Sequence, residues 1–137
     1  RDLGASLEGL QLNMHETRDV FRAAQEGVVF ALNYGIEIMR SMGLKPSRVR
    51  AGFANMFQSS LFQHTFATTT GVPLELFTTD GAEGAARAAG IGSGLLSPSD
   101  AFRGLHRETV VEPDSGAREA TLEAFARWKE VLQRHIQ

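Results

Sequence analysis

Residues 48–57 read RVRAGFANMF. The first five are too few for a helix and close on a glycine, and Leu61, Phe62, Thr65 and Phe66 follow at helical spacing. This pattern predicts a strand that ends in a small-residue turn and leads into a helix. Such a turn lets a ligand reach the backbone, and the free amides of a helix start favour a phosphate or a polar nucleotide edge. Alternatively, the small residues only permit a tight turn.

In the rest of the chain, predicted strands and predicted helices also alternate, and this order predicts an α/β layer fold. A strand is predicted at residues 5–12, a long helix from Glu16 or Thr17 to Gly43, and a second strand at 72–77. A short helix is predicted after Ser97, through residues 100–102, and a last helix through residues 122–132. Residues 106–116, between these two helices, are predicted to form a loop. We expect the long helix to pack on more than one side, because its apolar stripe is wide.

Residues 81–90 form a run of very small residues that includes Gly81 and Gly84. On a helix, such a run lets the backbone lie close to a ligand or to a sheet. Because this helix would begin at the same sheet edge as the turn after Gly52, it favours a ligand site there, in the position where α/β proteins bind ligands. Tight packing of the helix on the sheet remains the alternative.

Composition excludes several classes of function. The net charge of -2 offers no basic stripe for nucleic acid, and the absence of cysteine excludes disulfides and thiolate zinc sites. No apolar run reaches the ~20 residues of a membrane helix. We therefore expect a soluble, cytoplasmic protein that binds neither nucleic acid nor membrane.

The sequence contains no recognisable catalytic or metal-binding group. The four histidines are scattered, and no pair of carboxylates is spaced for acid and base catalysis. The run GIGSG at residues 90–94 follows a helix instead of a strand, which excludes a dinucleotide fingerprint. We predict neither catalytic residues nor a protein metal site.

The order of small motifs resembles a known family. The pattern A-x-L-x-G-L at residues 5–10, an eight-residue gap and D-V-x-x-A-A-x-E at residues 19–26 are similar to the C-terminal signature of the FGGY carbohydrate kinases. The resemblance continues over residues 22–30, 48–55 and 84–89, and covers about residues 5–104 in the family's order. Gln25 departs from it, and so does the turn, which looks most like that of a xylulokinase subgroup.

This resemblance implies part of an actin- and hexokinase-like (ribonuclease H-like) ATPase domain, with a short mixed sheet and flanking helices. It implies transfer of the ATP γ-phosphate to a ketopentose with Mg²⁺. Matching positions assign nucleotide binding to Gly52, Phe53, Ala54 and Asn55, and to Gly81 and Gly84 in the helix packed behind the turn.

The phosphate loop and catalytic Asp of that family have no counterpart in this sequence. The chain also begins at Arg1, without an initiator Met, and soon enters the predicted strand. We therefore expect residues 1–137 to be the C-terminal part of the kinase's nucleotide-binding domain, inactive alone, with a possible homodimer. The alternative is a non-catalytic regulatory or interaction module of the same fold.

Overall fold

A computed structural model describes residues 4–136 and contains, within that range, four α-helices and three short strands. In chain order they are α1 (Thr17–Ser41), β1 (Val49–Gly52), α2 (Ser60–Thr70), β2 (Leu74–Phe77), α3 (Gly81–Gly92), β3 (Arg107–Val111) and α4 (Arg118–Ile136). Two short 3-10 helices cover Asn55–Gln58 and Asp100–Phe102.

The three strands form one sheet in the order β1-β2-β3. β1 runs parallel to β2, with Val49 opposite Leu74 and Gly52 opposite Phe77. A parallel pair needs a long crossover, which α2 supplies. The carboxyl ends of β1 and β2 therefore lie side by side at one edge of the sheet. β3 pairs antiparallel with β2.

The core lies between one face of the sheet and the helices α1, α2 and α4. Leu74 and Leu76 point into it from β2, and Phe62 packs there from α2; each is at most 1% exposed. An aromatic cluster joins α1 to α4, with Phe30 and Phe125 ring centroids 5.5 Å apart. This burial of apolar area is the main stabilising contribution.

The opposite face of the sheet carries charge. The side chain of Glu75, 5% exposed, accepts hydrogen bonds from Arg48 (2.9 Å) and Arg50 (2.8 Å), and Arg107 lies 3.7 Å away. The hydrogen bond from Arg50 and the charge of Arg48 lower the pKa of Glu75, although burial opposes them. Glu75, in the central strand β2, therefore forms ion pairs with Arg48 and Arg50 on the β1 side and with Arg107 in β3.

Most predicted helix ends are confirmed. α1 begins after Glu16, whose backbone N–H donates to the Asp19 carboxylate at 2.8 Å, and the chain leaves it at Gly43, with φ 93°. Gly71 ends α2 at φ 70°. α1 contacts both α2 and α4. Its outer side nevertheless leaves several apolar side chains exposed, namely those of Val20, Phe21, Val28, Leu32, Ile38 and Met39.

Two predictions are wrong. Residues 5–12 form no strand, because none of the described strands pairs with them, and an alternating pattern alone cannot satisfy the backbone groups of a strand. Residues 107–111, predicted as loop, form β3, because β2 offers an unpaired edge and Val111 reaches the core. The short 3-10 helix also starts later than predicted, at Asp100, whose N–H donates to the Ser97 hydroxyl at 3.1 Å.

Among residues 4–136, no helix is both long and apolar enough to cross a membrane.

Candidate functional site

The turn after β1 is held against the end of β2 by backbone hydrogen bonds. The N–H groups of Phe53 and Thr79 both donate to the carbonyl of Phe77, at 2.7 and 2.8 Å, and Ala54 N–H donates to the Gly52 carbonyl at 2.8 Å. The two strand ends therefore continue as two turns in contact, one leading to the first 3-10 helix and the other to α3.

Gly52 permits this close contact. A Cβ atom at position 52 would collide with the carbonyl oxygen of Thr79. The space beside Gly52 is thus filled by the protein's own backbone, and this glycine serves the contact between the two turns. At Gly52 the structure thus agrees with the alternative interpretation, in which the small residue permits a tight turn.

Asn55 has an unusual conformation for a residue other than glycine. Its φ is 52°, in the left-handed region that asparagine tolerates better than most residues, and its side chain is exposed. Within residues 4–136, the backbone N–H groups of Asn55 and Met56 donate to no other group. Two amide donors and the Asn55 side chain are therefore available to a ligand at this turn.

The starts of α2 and α3 are less available than the sequence suggested. The turn does not lead directly into α2, because the first 3-10 helix intervenes, and the Ser59 hydroxyl accepts from the Phe62 N–H at 3.4 Å. At α3, the Asp80 carboxylate accepts from the Glu83 N–H at 2.8 Å. The capping side chains therefore pair one first-turn N–H of each helix, and the turn after β1 adds the N–H groups of Asn55 and Met56 as donors.

Helix α3 does not pack tightly on the sheet. It has no buried residue, and Cβ atoms at Gly81 and Gly84 would meet nothing within 4 Å. Its main contact is with the second 3-10 helix, where Arg87 donates to the carbonyls of Ala101 and Arg103. The alternative of tight packing on the sheet is therefore wrong for this helix.

The first turn of α3 also carries a charged pair. Arg87 donates two hydrogen bonds to the Glu83 carboxylate. The hydrogen bonds from Arg87 lower the pKa of Glu83. Glu83 therefore stays ionised at neutral pH and adds negative charge near the start of the helix.

The two turns and α1 surround an open pocket of about 380 Å³. That volume lies within the ~300–1,000 Å³ typical of small-molecule sites. Its walls are mainly apolar, and its polar side chains are those of Asn55 and Asp80. The lining residues are Val28, Leu32, Ala51, Gly52, Ala54, Asn55, Met56, Phe57, Phe62, Asp80 and Gly81.

Four of the six residues assigned from sequence meet in this pocket: Gly52, Ala54, Asn55 and Gly81. The remaining two, Phe53 and Gly84, do not line it. Phe53 packs against the hydrophobic core instead.

Sequence reasoning missed most of the pocket walls. Val28 and Leu32 come from α1, and no local motif indicates that they approach the turn. Asp80 could have been found, because an Asp directly before a run of small helix formers is a helix-capping signal.

The pocket's residues fit the base of a nucleotide better than a metal ion. Apolar walls suit a planar ring, and the Asn55 and Met56 amides suit its acceptor atoms. Residues 4–136 contain no group of three or more histidine, aspartate or glutamate side chains that could hold a metal.

No family model and no curated protein matches this sequence. Solved structures do match the fold. The xylulose kinase from Rhodospirillum rubrum aligns with 94% of this chain at a TM-score of 0.76 and 23% identity, over 27% of its own length. The ligand-bound xylulose kinase from Lactobacillus acidophilus aligns with 94% at 0.75 and 20% identity, over 26% of its length.

A gluconate kinase from Lactobacillus acidophilus matches almost equally, at a TM-score of 0.74 and 20% identity, with 94% of this chain and 26% of its own length covered. This chain thus spans about a quarter of the length of the kinases it matches. The mixed sheet and its helices therefore have the fold that these sugar kinases share in the matched segment, the actin- and hexokinase-like ATPase fold that the FGGY resemblance implied.

Proposed function

We propose that this chain is the nucleotide-holding part of an ATP-dependent sugar kinase, and that its pocket receives the base of ATP. The observation that carries this proposal is the meeting of Gly52, Ala54, Asn55 and Gly81 in one pocket. Gly52, Ala54 and Asn55 come from the turn after β1 and Gly81 from the start of α3, and the resemblance to FGGY kinases assigns all four to nucleotide binding.

In this function each residue of the turn has a distinct role. Gly52 lets the two turns touch, and Asn55, with its own N–H and that of Met56, orients the bound nucleotide. Bound ATP supplies the phosphoryl group, with Mg²⁺ on its phosphates. Catalysis of phosphoryl transfer depends mainly on positioning and charge stabilisation. Positioning of the nucleotide is the contribution that we assign to residues 1–137.

Calorimetric titration of the 137-residue chain with MgATP tests this proposal. We expect saturable binding that weakens about tenfold in Asn55→Ala, the effect of losing roughly one good hydrogen bond in a pocket. Asn13→Ala is the matched control, since Asn13 is exposed and lies outside the pocket. Absence of ATP binding, or equal affinity of the two variants, would contradict the proposal.

The sugar is proposed to be a ketopentose such as D-xylulose. The similarity of this chain's turn to the xylulokinase subgroup supports it, whereas xylulose and gluconate kinases match the fold about equally well. ADP production by the kinase polypeptide that contains this chain should depend on D-xylulose and not on gluconate. The isolated chain should produce no ADP with either sugar. The cytoplasmic location and the homodimer also remain predictions.

A non-catalytic module of the same fold is the second candidate. The specific observation in its favour is Phe53, which occupies the turn with a core-packing side chain where many FGGY kinases have glycine. This candidate predicts no affinity for ATP, so the same titration separates the two functions.

A further inference from the structure

Two apolar side chains of α1 form one wall of the pocket. Val28 and Leu32 lie one helical turn apart on the same face of α1, and both line the pocket. Each is 45% exposed, whereas the neighbouring Val29 is completely buried in the core. The exposed area of Val28 and Leu32 is therefore available for contact with a ligand in the pocket.

This wall is fixed relative to the turn after β1. Gln25 lies one turn before Val28 in α1, and its Oε1 atom accepts a hydrogen bond from the Ser59 hydroxyl at 2.6 Å. The Ser59 N–H in turn donates to the carbonyl of Met56, at 3.0 Å, in the 3-10 helix that follows the turn. These two hydrogen bonds connect α1 to the segment that carries the Asn55 and Met56 amides, so the wall is in place before a ligand arrives.

The chemistry of the wall indicates which part of a nucleotide it contacts. Valine and leucine side chains neither donate nor accept hydrogen bonds, so a phosphate placed against them would lose its hydrogen bonds to water without replacement. The face of an aromatic ring, in contrast, gains from the removal of apolar area from water. The α1 wall therefore suits the face of the base and not the triphosphate.

We propose that Val28 and Leu32 bind the base of the nucleotide through apolar contact with the face of its ring. This inference rests on the proposed nucleotide-binding function. It adds two residues of α1, to which the sequence resemblance assigns no part in nucleotide binding. The two side chains contribute affinity through area buried on binding, while the polar groups of the turn orient the edge of the base.

Calorimetric titration with MgATP at several temperatures tests this inference. Leu32→Ala should weaken ATP binding about fivefold, which corresponds to the loss of roughly one buried methylene group. The heat-capacity change of binding should also become less negative than in the wild-type chain, because less apolar area is removed from water. A role of Leu32 in the fold alone would not change this heat capacity.

Ile38→Ala is the matched control. Ile38 lies in the same helix and is 49% exposed, but it lies outside the pocket, and its substitution removes the same number of carbon atoms. This variant should keep the affinity and the heat-capacity change of the wild type. Since both side chains are half exposed, thermal unfolding of the two variants should stay close to that of the wild type.

Val28→Thr provides a second variant that keeps the shape of the wall. Its hydroxyl replaces a methyl group of similar size, so the pocket keeps its volume while the wall becomes polar. ATP binding should weaken about twofold to threefold, the effect of losing part of one apolar contact.

The outcomes separate this inference from the function on which it rests. If Leu32→Ala and Val28→Thr bind ATP as tightly as Ile38→Ala, the wall does not contact the base, and the inference is wrong while nucleotide binding by the wild-type chain stands. Weaker binding with an unchanged heat capacity would also overturn the apolar contact. If the wild-type chain does not bind ATP, the proposed function fails and the inference fails with it.

Discussion

Helices α2 and α3 occupy equivalent places in the chain, since each follows one of the two parallel strands and begins at the same edge of the sheet. Their burial is opposite. Seven of the 11 residues of α2 are buried, whereas none of the 12 residues of α3 is. α2 joins α1, α4 and the sheet, and α3 has its main contact with a 3-10 helix.

The difference shows that a helix's place in the chain order does not determine how deeply the helix is buried. α2 stabilises the fold through its buried face. α3 contributes little apolar burial, so its first turn, with Asp80 and Gly81, is free to serve the pocket. Segments with few buried apolar contacts are also those that open most easily, which suits a ligand site better than a core.

Truncation in the core of α2 should produce the largest effect. Phe62 is 1% exposed, and its ring lies 5.1 Å from that of Phe57. We expect Phe62→Ala to lower the free energy of unfolding by about 3–5 kcal/mol, measured by denaturant titration. Ile91→Ala in the half-buried end of α3 should cost only about 1 kcal/mol. Equal losses would show that the two helices do not differ as described.

Gly52→Ala should have the next largest effect, because the new methyl group meets the Thr79 carbonyl and forces the two turns apart. A loss of about 1–3 kcal/mol in unfolding free energy is expected for such overpacking. The control is Gly81→Ala at the start of α3, where a Cβ meets nothing within 4 Å. That variant should stay within about 0.5 kcal/mol of wild type. A neutral Gly52→Ala would contradict the close contact.

The charged face of the sheet should make stability depend on pH. The folded-state pKa of Glu75 is lowered, so its stabilising effect is complete above the unfolded-state pKa, about 4.3 for glutamate. It is lost as the pH falls from there through the lower folded-state value. Thermal midpoints should therefore separate wild type from Glu75→Gln at pH 7 and converge near the acid end. A constant gap over that range would exclude ionisation of Glu75 as the cause.

Gly84→Ala should have the smallest effect, and of opposite sign. Gly84 lies inside α3 with open space around it, so alanine should stabilise the helix by about 0.5–1 kcal/mol. Thermal unfolding measures this gain. The same variant tests the role assigned to Gly84 from sequence: unchanged ATP affinity would show that no ligand requires a glycine there, and weaker affinity would show that one approaches its backbone.

Much of the fold could be predicted locally. The long helix, the strand before Gly52, the helix ending at Gly71 and the strand at 74–77 all carry periodicity and capping signals within a few residues of each other. Two errors share one cause. Residues 5–12 alternate like a strand and residues 107–111 do not, yet only the second segment finds a partner edge, because strands are stabilised by neighbours that lie far away in sequence.

The residues of the candidate site also divide into those that a local pattern predicts and those that it does not. Gly52 and Asn55 were predicted because a strand-to-turn junction is a local pattern. Val28 and Leu32 were not, because their place in the pocket depends on how α1 packs against α2. The side chain of Phe53, which the FGGY resemblance assigns to nucleotide binding, packs against the core.

The sequence alone determined the α/β order, the ends of most helices and the strand-to-turn junction at Gly52, because these follow from backbone preferences and spacing within one or two turns of chain. Only the tertiary structure decided which segments pair, which helix is buried and which side chains share the pocket. Those outcomes depend on contacts between residues tens of positions apart. The hydrogen-bonding groups of a strand edge, and the apolar side chains of a helix, pair with segments that lie far away in sequence.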